Sequence, residues 1–98
     1  MEKFILYVGL NDKDTKTQLV TTPNAKRIVN QIVGDCSIQE ITGFYTHENG
    51  EKVEENTLKV EKLFSDDASV RMMCGELKKE LNQESIALEK VMTNSILI

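Results

Sequence analysis

The sequence predicts an α+β domain in which two helices cover one face of a four-stranded antiparallel sheet. Three observations lead there. Apolar, β-branched runs and two amphipathic helical stretches follow one another in the order β-α-β-β-α-β. Asn49-Gly50 stands between the second and third runs, where a tight hairpin is needed. Right-handed crossovers then lay two split β-α-β units onto each other, which is the ferredoxin-like arrangement, here as a single domain over residues 1–98.

Each element has its own signature. Phe4 to Gly9 is apolar on both faces and reads as a central strand, with Phe4, Leu6 and Val8 on one side and Ile5 and Tyr7 on the other. A polar loop from Leu10 to Thr21 follows. Thr22-Pro23 predicts a helix start, Thr22 as cap and Pro23 at the first position. Ala25, Ile28, Val29, Ile32 and Val33 make its apolar face, and Gly34 ends it. The second strand falls within Ile38–Glu48, with a bulge expected near Gln39-Glu40 because Ile38 and Ile41 break alternation. The third runs from Glu51 to Phe64. Ser65-Asp66-Asp67 caps a second helix whose stripe is Val70, Met73, Cys74, Leu77 and Leu81. Gly75 inside it either permits close packing or is simply tolerated. Ser85–Met92 is the fourth strand, and Ile96-Leu97-Ile98 is a short fifth piece or an ordered tail.

Composition narrows the function classes. With 98 residues, one modest core is available, and association with a second copy would extend it. The net charge is −4 and the cations are scattered among carboxylates, which disfavours nucleic acid. Nothing approaches the length of a membrane span. The apolar run at the N-terminus is too short for a leader and no cleavage site follows it, so a cytoplasmic chain with reduced Cys36 and Cys74 is expected.

With Asn49-Gly50 as a two-residue loop, Ile41 pairs with Leu58, Phe44 with Glu55 and Thr46 with Val53. Ile41, Gly43, Tyr45, Leu58 and Val60 then lie under the helices. The opposite face carries Thr42, Phe44, Thr46, Val53, Glu55 and Thr57, joined by Ile5 and Tyr7. That face is partly apolar and has no helix over it. It is the expected surface for self-association, most simply as a dimer, and for enclosing a small ligand; the bland alternative is a half-solvated face. Glu55 on it, with Tyr7 or Tyr45, is the candidate acid or base, against the ordinary alternative of a solvated glutamate. At one end of the sheet the topology gathers three loops. Asp12, Asp14, His47, Glu48, Gln83 and Glu84 thereby form a conceivable metal or general-base constellation, although polar loops are the commoner reading. No Gly-rich phosphate loop, nucleophile elbow or zinc spacing is present, and no metal or cofactor is expected.

Three short stretches carry a resemblance. Leu6-Tyr7-Val8-Gly9-Leu10, the return strand Gly50–Thr57, and Leu81-Asn82-Gln83-Glu84-Ser85-Ile86 are similar to a family of short bacterial proteins without an assigned activity. That family has a Gly-ended first strand, a Gly-to-Glu spacing of five in its hairpin return with Ser/Thr two further on, and a Gln-Glu-Ser entry to its last strand. The chain departs from it near Phe44-Tyr45, where the family often carries Trp, and in the loop after the first strand. The resemblance singles out Glu55, Gln83, Glu84 and Ser85. The element order also resembles the oligomeric ligand sensors of the PII-like superfamily, without their long loop.

Taken together, these features predict a binding or regulatory module acting as a homo-oligomer through its open sheet face, and leaning away from enzymatic activity. Its binding residues would be Ile5, Tyr7, Phe44, Val53, Glu55, Gln83 and Glu84, and its partner a small molecule or a protein. Two alternatives stand beside it. One is a small enzyme of the dimeric ferredoxin-like barrel kind, using Glu55 in an enclosed pocket. The other is an accessory protein whose acidic hairpin, Glu48 to Glu55, docks on a basic partner.

Overall fold

Alternation along the first strand organises the whole sheet: Phe4, Leu6 and Val8 are buried beneath the helices, while Ile5 and Tyr7 point to the other side. The computed structural model describes residues 2–46 and 49–98. The element order is β1 (Glu2–Gly9), α1 (Thr22–Val33), β2 (Ser37–Thr46), β3 (Lys52–Lys62), α2 (Asp67–Glu80) and β4 (Ala87–Met92). The strands are arranged β2-β3-β1-β4, every neighbour antiparallel. This is the ferredoxin-like α+β fold expected from the sequence.

The core fills the space between one sheet face and both helices. Phe4, Leu6, Val8, Leu58 and Val60 of the sheet meet Ala25, Val29 and Val33 of α1, Val70 and Leu77 of α2, and Leu81 just past the end of α2. The apolar stripes of both helices are therefore those that their periodicity indicates. The start of α1 differs by one residue. Thr21 is the cap, its side chain accepting the Asn24 N–H at 3.3 Å, and Pro23 occupies the second helical position. Proline costs nothing there, because the first four N–H groups lack intrahelical partners anyway. Asp66 caps α2 as expected and accepts the Ser69 N–H at 2.8 Å. Gly75 has open space around the position of a Cβ, so it is tolerated rather than required for packing.

Two strand expectations are corrected. β2 pairs with β3 without interruption from Ser37↔Glu61 to Thr46↔Lys52, so there is no bulge at Gln39-Glu40; Ile38 and Ile41 simply lie on opposite faces. The register is also one residue away from a two-residue loop. Gly43 faces Glu55, Tyr45 faces Val53 and Phe44 faces Glu54. The connection between the last pair is residues 47–51, an odd number, with Gly50 at φ 84° and Asn49 Oδ1 accepting the Glu51 N–H at 2.9 Å. A one-residue slip flips one strand's side chains relative to the other. Ile41, Gly43 and Tyr45 consequently lie on the open face, and Phe44 on the helix side. Val53, Glu55 and Thr57 stay on the open face.

The β2–β3 hairpin outruns the rest of the sheet. β1 ends at Gly9↔Thr57, and the Leu10 N–H adds one bond to the Asn56 carbonyl. Beyond that, Lys52–Glu55 pair with β2 alone among the described residues, so the hairpin forms a two-stranded arm. Phe44, 74% exposed, sits on this arm beyond the cover of the helices.

The C-terminal Ile96-Leu97-Ile98 forms no strand and is exposed. No helix among the described residues is long and apolar enough to cross a membrane.

Candidate functional site

The strand register places two glycines around one carboxylate. Gly9 ends β1, Gly43 lies directly across from Glu55 on β2, and neither has a side chain to fill the open face. The Glu55 carboxylate occupies the space above Gly9. A Cβ added there would lie 2.4 Å from Oε1, 2.6 Å from Cδ and 2.8 Å from Oε2. At Gly43 an added Cβ would lie 3.0 Å from Thr57 Oγ1. Glycine at these positions is a matter of close approach, since neither needs a positive φ.

Glu55 is fixed as well as accommodated. The Asn11 backbone N–H donates to Oε2 at 3.0 Å. The Asn11 carbonyl in turn accepts from Gln83 Nε2 at 2.8 Å, and Gln83 is only 7% exposed. A relay thus runs from the end of α2, through the β1–α1 loop, to the carboxylate. The loop itself is tied down by Asp12, whose Oδ2 accepts the N–H groups of Asp14 and Thr15, each at 3.0 Å. Asn82 donates through Nδ2 to Asp12 Oδ1 at 2.7 Å and Asp14 Oδ2 at 2.9 Å. These bonds, the one from Asn82 foremost, hold the Asp12 carboxyl below the ordinary range for aspartate.

A broad open groove of about 1260 Å³ surrounds this carboxylate. Tyr7, Gly9, Asn11, Ile41, Gly43, Tyr45, Val53, Glu55, Gln83 and Glu84 border it, as do Lys13, Lys16 and Lys52. The pairs Tyr7↔Lys59 and Tyr45↔Val53 lie six residues apart along β3, so the trough is about 20 Å long at about 3.4 Å per residue. Burial first, and then the negative charge of Glu55 and Glu84, keeps the Tyr45 phenol protonated above its usual range. Tyr45 is therefore a neutral ring beside two carboxylates.

The residues expected to form a site are only partly brought together. Tyr7, Tyr45, Val53, Glu55, Gln83 and Glu84 border one groove. Ile5 is on the same face but buried further along β1, 5% exposed and outside the groove. Phe44 borders the groove, but its place in the register is on the face opposite Glu55. His47 and Glu48 lie outside the described residues. Among the described residues, no cluster of three metal-ligating side chains occurs; Asp12 and Asp14 are joined by an amide instead. Cys36 and Cys74 are free thiols, and burial pushes both up, away from nucleophilic reactivity. Asn11 escaped sequence reasoning, since it acts through its backbone N–H, which no side-chain motif announces. Asn82 left a signal: an Asn after the last apolar position of a helix suits the left-handed cap it adopts, φ 47°.

No protein-family profile matches the chain, and no curated protein does either. Solved structures do. The fold is similar to that of a phage SAM lyase in complex with S-methyl-5'-thioadenosine, with 24% identity and a TM-score of 0.67 over 92% of this chain and 79% of that one. The same lyase in its apo state gives 24% identity and a TM-score of 0.68, over 92% and 78%. CutA1 from Pyrococcus horikoshii is similar at 15% identity and a TM-score of 0.55, over 96% and 86%. At these identities the likeness establishes a shared fold.

Proposed function

We propose that this protein binds an S-adenosylmethionine-class ligand in the groove over Glu55, with a second copy of the chain closing the open side, and cleaves the sulfonium C–S bond. The observation that carries this reading is the Glu55 carboxylate seated above Gly9 and held by the Asn11 N–H. A fixed anion in a trough bordered by tyrosines complements a compact organic cation, through charge and through the ring faces. S-adenosylmethionine carries two such positive centres, the sulfonium and the α-ammonium. The fold shared with a SAM lyase solved with S-methyl-5'-thioadenosine supports that choice of cation.

The chemistry needs no co-reactant. The bond from sulfur to the four-carbon amino-acid arm breaks, and its electron pair stays on sulfur, which becomes the neutral thioether of S-methyl-5'-thioadenosine. The arm's own carboxylate oxygen bonds to the same carbon and closes a lactone. Glu55 assists by anchoring the ammonium so that the arm folds back on itself, a gain through orientation. Binding the sulfonium more tightly than the transition state would slow the step, so the ammonium is the better partner. The open side supports a second copy: a two-stranded arm is marginal in water by itself, and Tyr45 on it is 42% exposed.

Calorimetry with S-adenosylmethionine and with S-methyl-5'-thioadenosine, followed by product analysis, tests this. The wild-type chain should prefer the cation and release the thioether with a lactone. Glu55→Gln should lose the preference by about tenfold or more, the weight of one charge-assisted contact. Absence of binding to either compound sinks the ligand assignment, and binding without products removes the cleavage. Sedimentation should report a dimer or larger assembly; a monomer with full affinity removes the second copy.

A further inference from the structure

We infer that the C-terminal cap of α2, Asn82 with Gln83, is the positioning device of the Glu55 site. The inference rests on Glu55 as the ligand's anchor and adds the residues that set the anchor's place. α2 ends in a reciprocal cap: the Gln83 N–H donates to the Lys78 carbonyl at 2.9 Å, and the Asn82 N–H to the Lys79 carbonyl at 3.4 Å. Asn82 takes the left-handed conformation that this cap demands, φ 47°. That turn sends two neighbouring amide side chains into the β1–α1 loop.

Each amide does a separate task. Asn82 grips the far part of the loop, forking to Asp12 and Asp14, and its carbonyl accepts the Lys13 N–H at 3.0 Å. Gln83 grips the near part, through the Asn11 carbonyl, and its Nε2 is shared with the Leu81 carbonyl at 3.2 Å. The backbone of Asn11 is thereby held on both sides of its Cα: its carbonyl accepts from Gln83, and its N–H, in the preceding peptide unit, donates to Glu55. Gln83 is nine-tenths buried, so its donor has few alternatives if Asn11 moves. A polar side chain in such a place is costly unless its partners are fixed, which makes the relay stiff. Neither amide needs to touch the ligand to matter.

Amide hydrogen exchange and ligand titration on Gln83→Met test the device. Methionine fills a similar volume and donates nothing. The expected result is exchange at the Asn11 amide about tenfold faster or more, with the β1 and β3 ladder amides unchanged. The S-adenosylmethionine preference should fall toward that of Glu55→Gln. Gln83→Glu, which keeps the shape and loses the Nε2 donor, should do the same and serves if the methionine variant does not fold. Asn82→Gly keeps the left-handed backbone and deletes only the fork; faster exchange at Asp14 and Thr15 is expected, with a smaller loss of preference. Unchanged exchange at Asn11 in both Gln83 variants would overturn the inference, and so would a uniform rise across all amides, the mark of a purely structural residue. If the wild-type chain binds neither compound but Asn11 responds as stated, the positioning stands and the ligand assignment fails.

Discussion

A glycine at the end of a strand usually attracts no comment, yet Gly9 is where a single methyl group separates two different sites. The Glu55 carboxylate lies within 3 Å of the position a Cβ would take, so alanine and the carboxylate exclude each other. The conflict is with the far end of a flexible side chain, so the fold survives and the carboxylate moves. Gly9→Ala should therefore keep its unfolding midpoint within about 1 kcal/mol of wild type while losing the preference for the charged ligand. A variant that binds the cation normally would show that the carboxylate's seat is irrelevant. Tyr45 offers a second reading of the same position. Its phenol is held up by burial and by the charges of Glu55 and Glu84. Glu55→Gln removes one of those charges, and phenolate absorbance should report a lower Tyr45 midpoint; an unmoved midpoint would place Glu55 out of its electrostatic reach.

At the scale of elements, local pattern and register behave differently. Helix stripes, the cap of α2 and the parity of β1 and β3 follow from neighbours in sequence, and Val29, Leu77, Val8 and Thr57 all lie where their spacing puts them. The parity of β2 depends instead on how many residues the hairpin connection spends. Asn49-Gly50 suits a two-residue turn, but Gly50 alone at φ 84° is compatible with a longer one, and no local periodicity distinguishes them. Hence a two-residue turn would pair Phe44 with Glu55, whereas Gly43 faces it and Tyr45 lies two residues on along the same side. The site was legible to the same degree. Glu55 and Gln83 stand out by motif, whereas their meeting point, the backbone of Asn11, has no signature of its own. Gly75 was ambiguous in sequence for a related reason, since only coordinates say whether a neighbour fills its missing Cβ. Open space there means Gly75→Ala should stabilise α2 by about 0.5–1 kcal/mol, seen as a higher urea midpoint. Destabilisation would imply that the position is covered, for example by a second copy.

Across the whole molecule, α2 is the member that connects distant parts, and carboxylates fasten it at both ends. At its start Asp66 caps the helix, and Asp67 receives Arg71 and Lys90, the latter tying α2 to β4. Beyond its other end Asp12 receives Asn82, next to the groove. All three carboxyls sit below their ordinary range: Asp12 through Asn82 first, Asp66 through the Ser69 N–H, Asp67 through Lys90 and then Arg71. A depressed folded-state pKa means that the unfolded chain takes up the proton more readily. The contribution of these groups is then complete above the unfolded value, about 3.9 for aspartate, and is lost as pH falls through the folded values. Urea midpoints should accordingly hold steady from neutral pH down to about 5 and decline below about 4. The decline divides between the two ends of the helix. Asn82→Gly should flatten the part due to Asp12, and Lys90→Met the part due to Asp67, while neither alters the plateau's shape near neutrality. Amide exchange at low pH should show the loop that carries Asn11 and the start of α2 loosening ahead of the β1–β3 ladder. A midpoint that stays level down to pH 3 would mean that these carboxylates do not hold the helix in place, and that the groove's stiffness comes from the core alone.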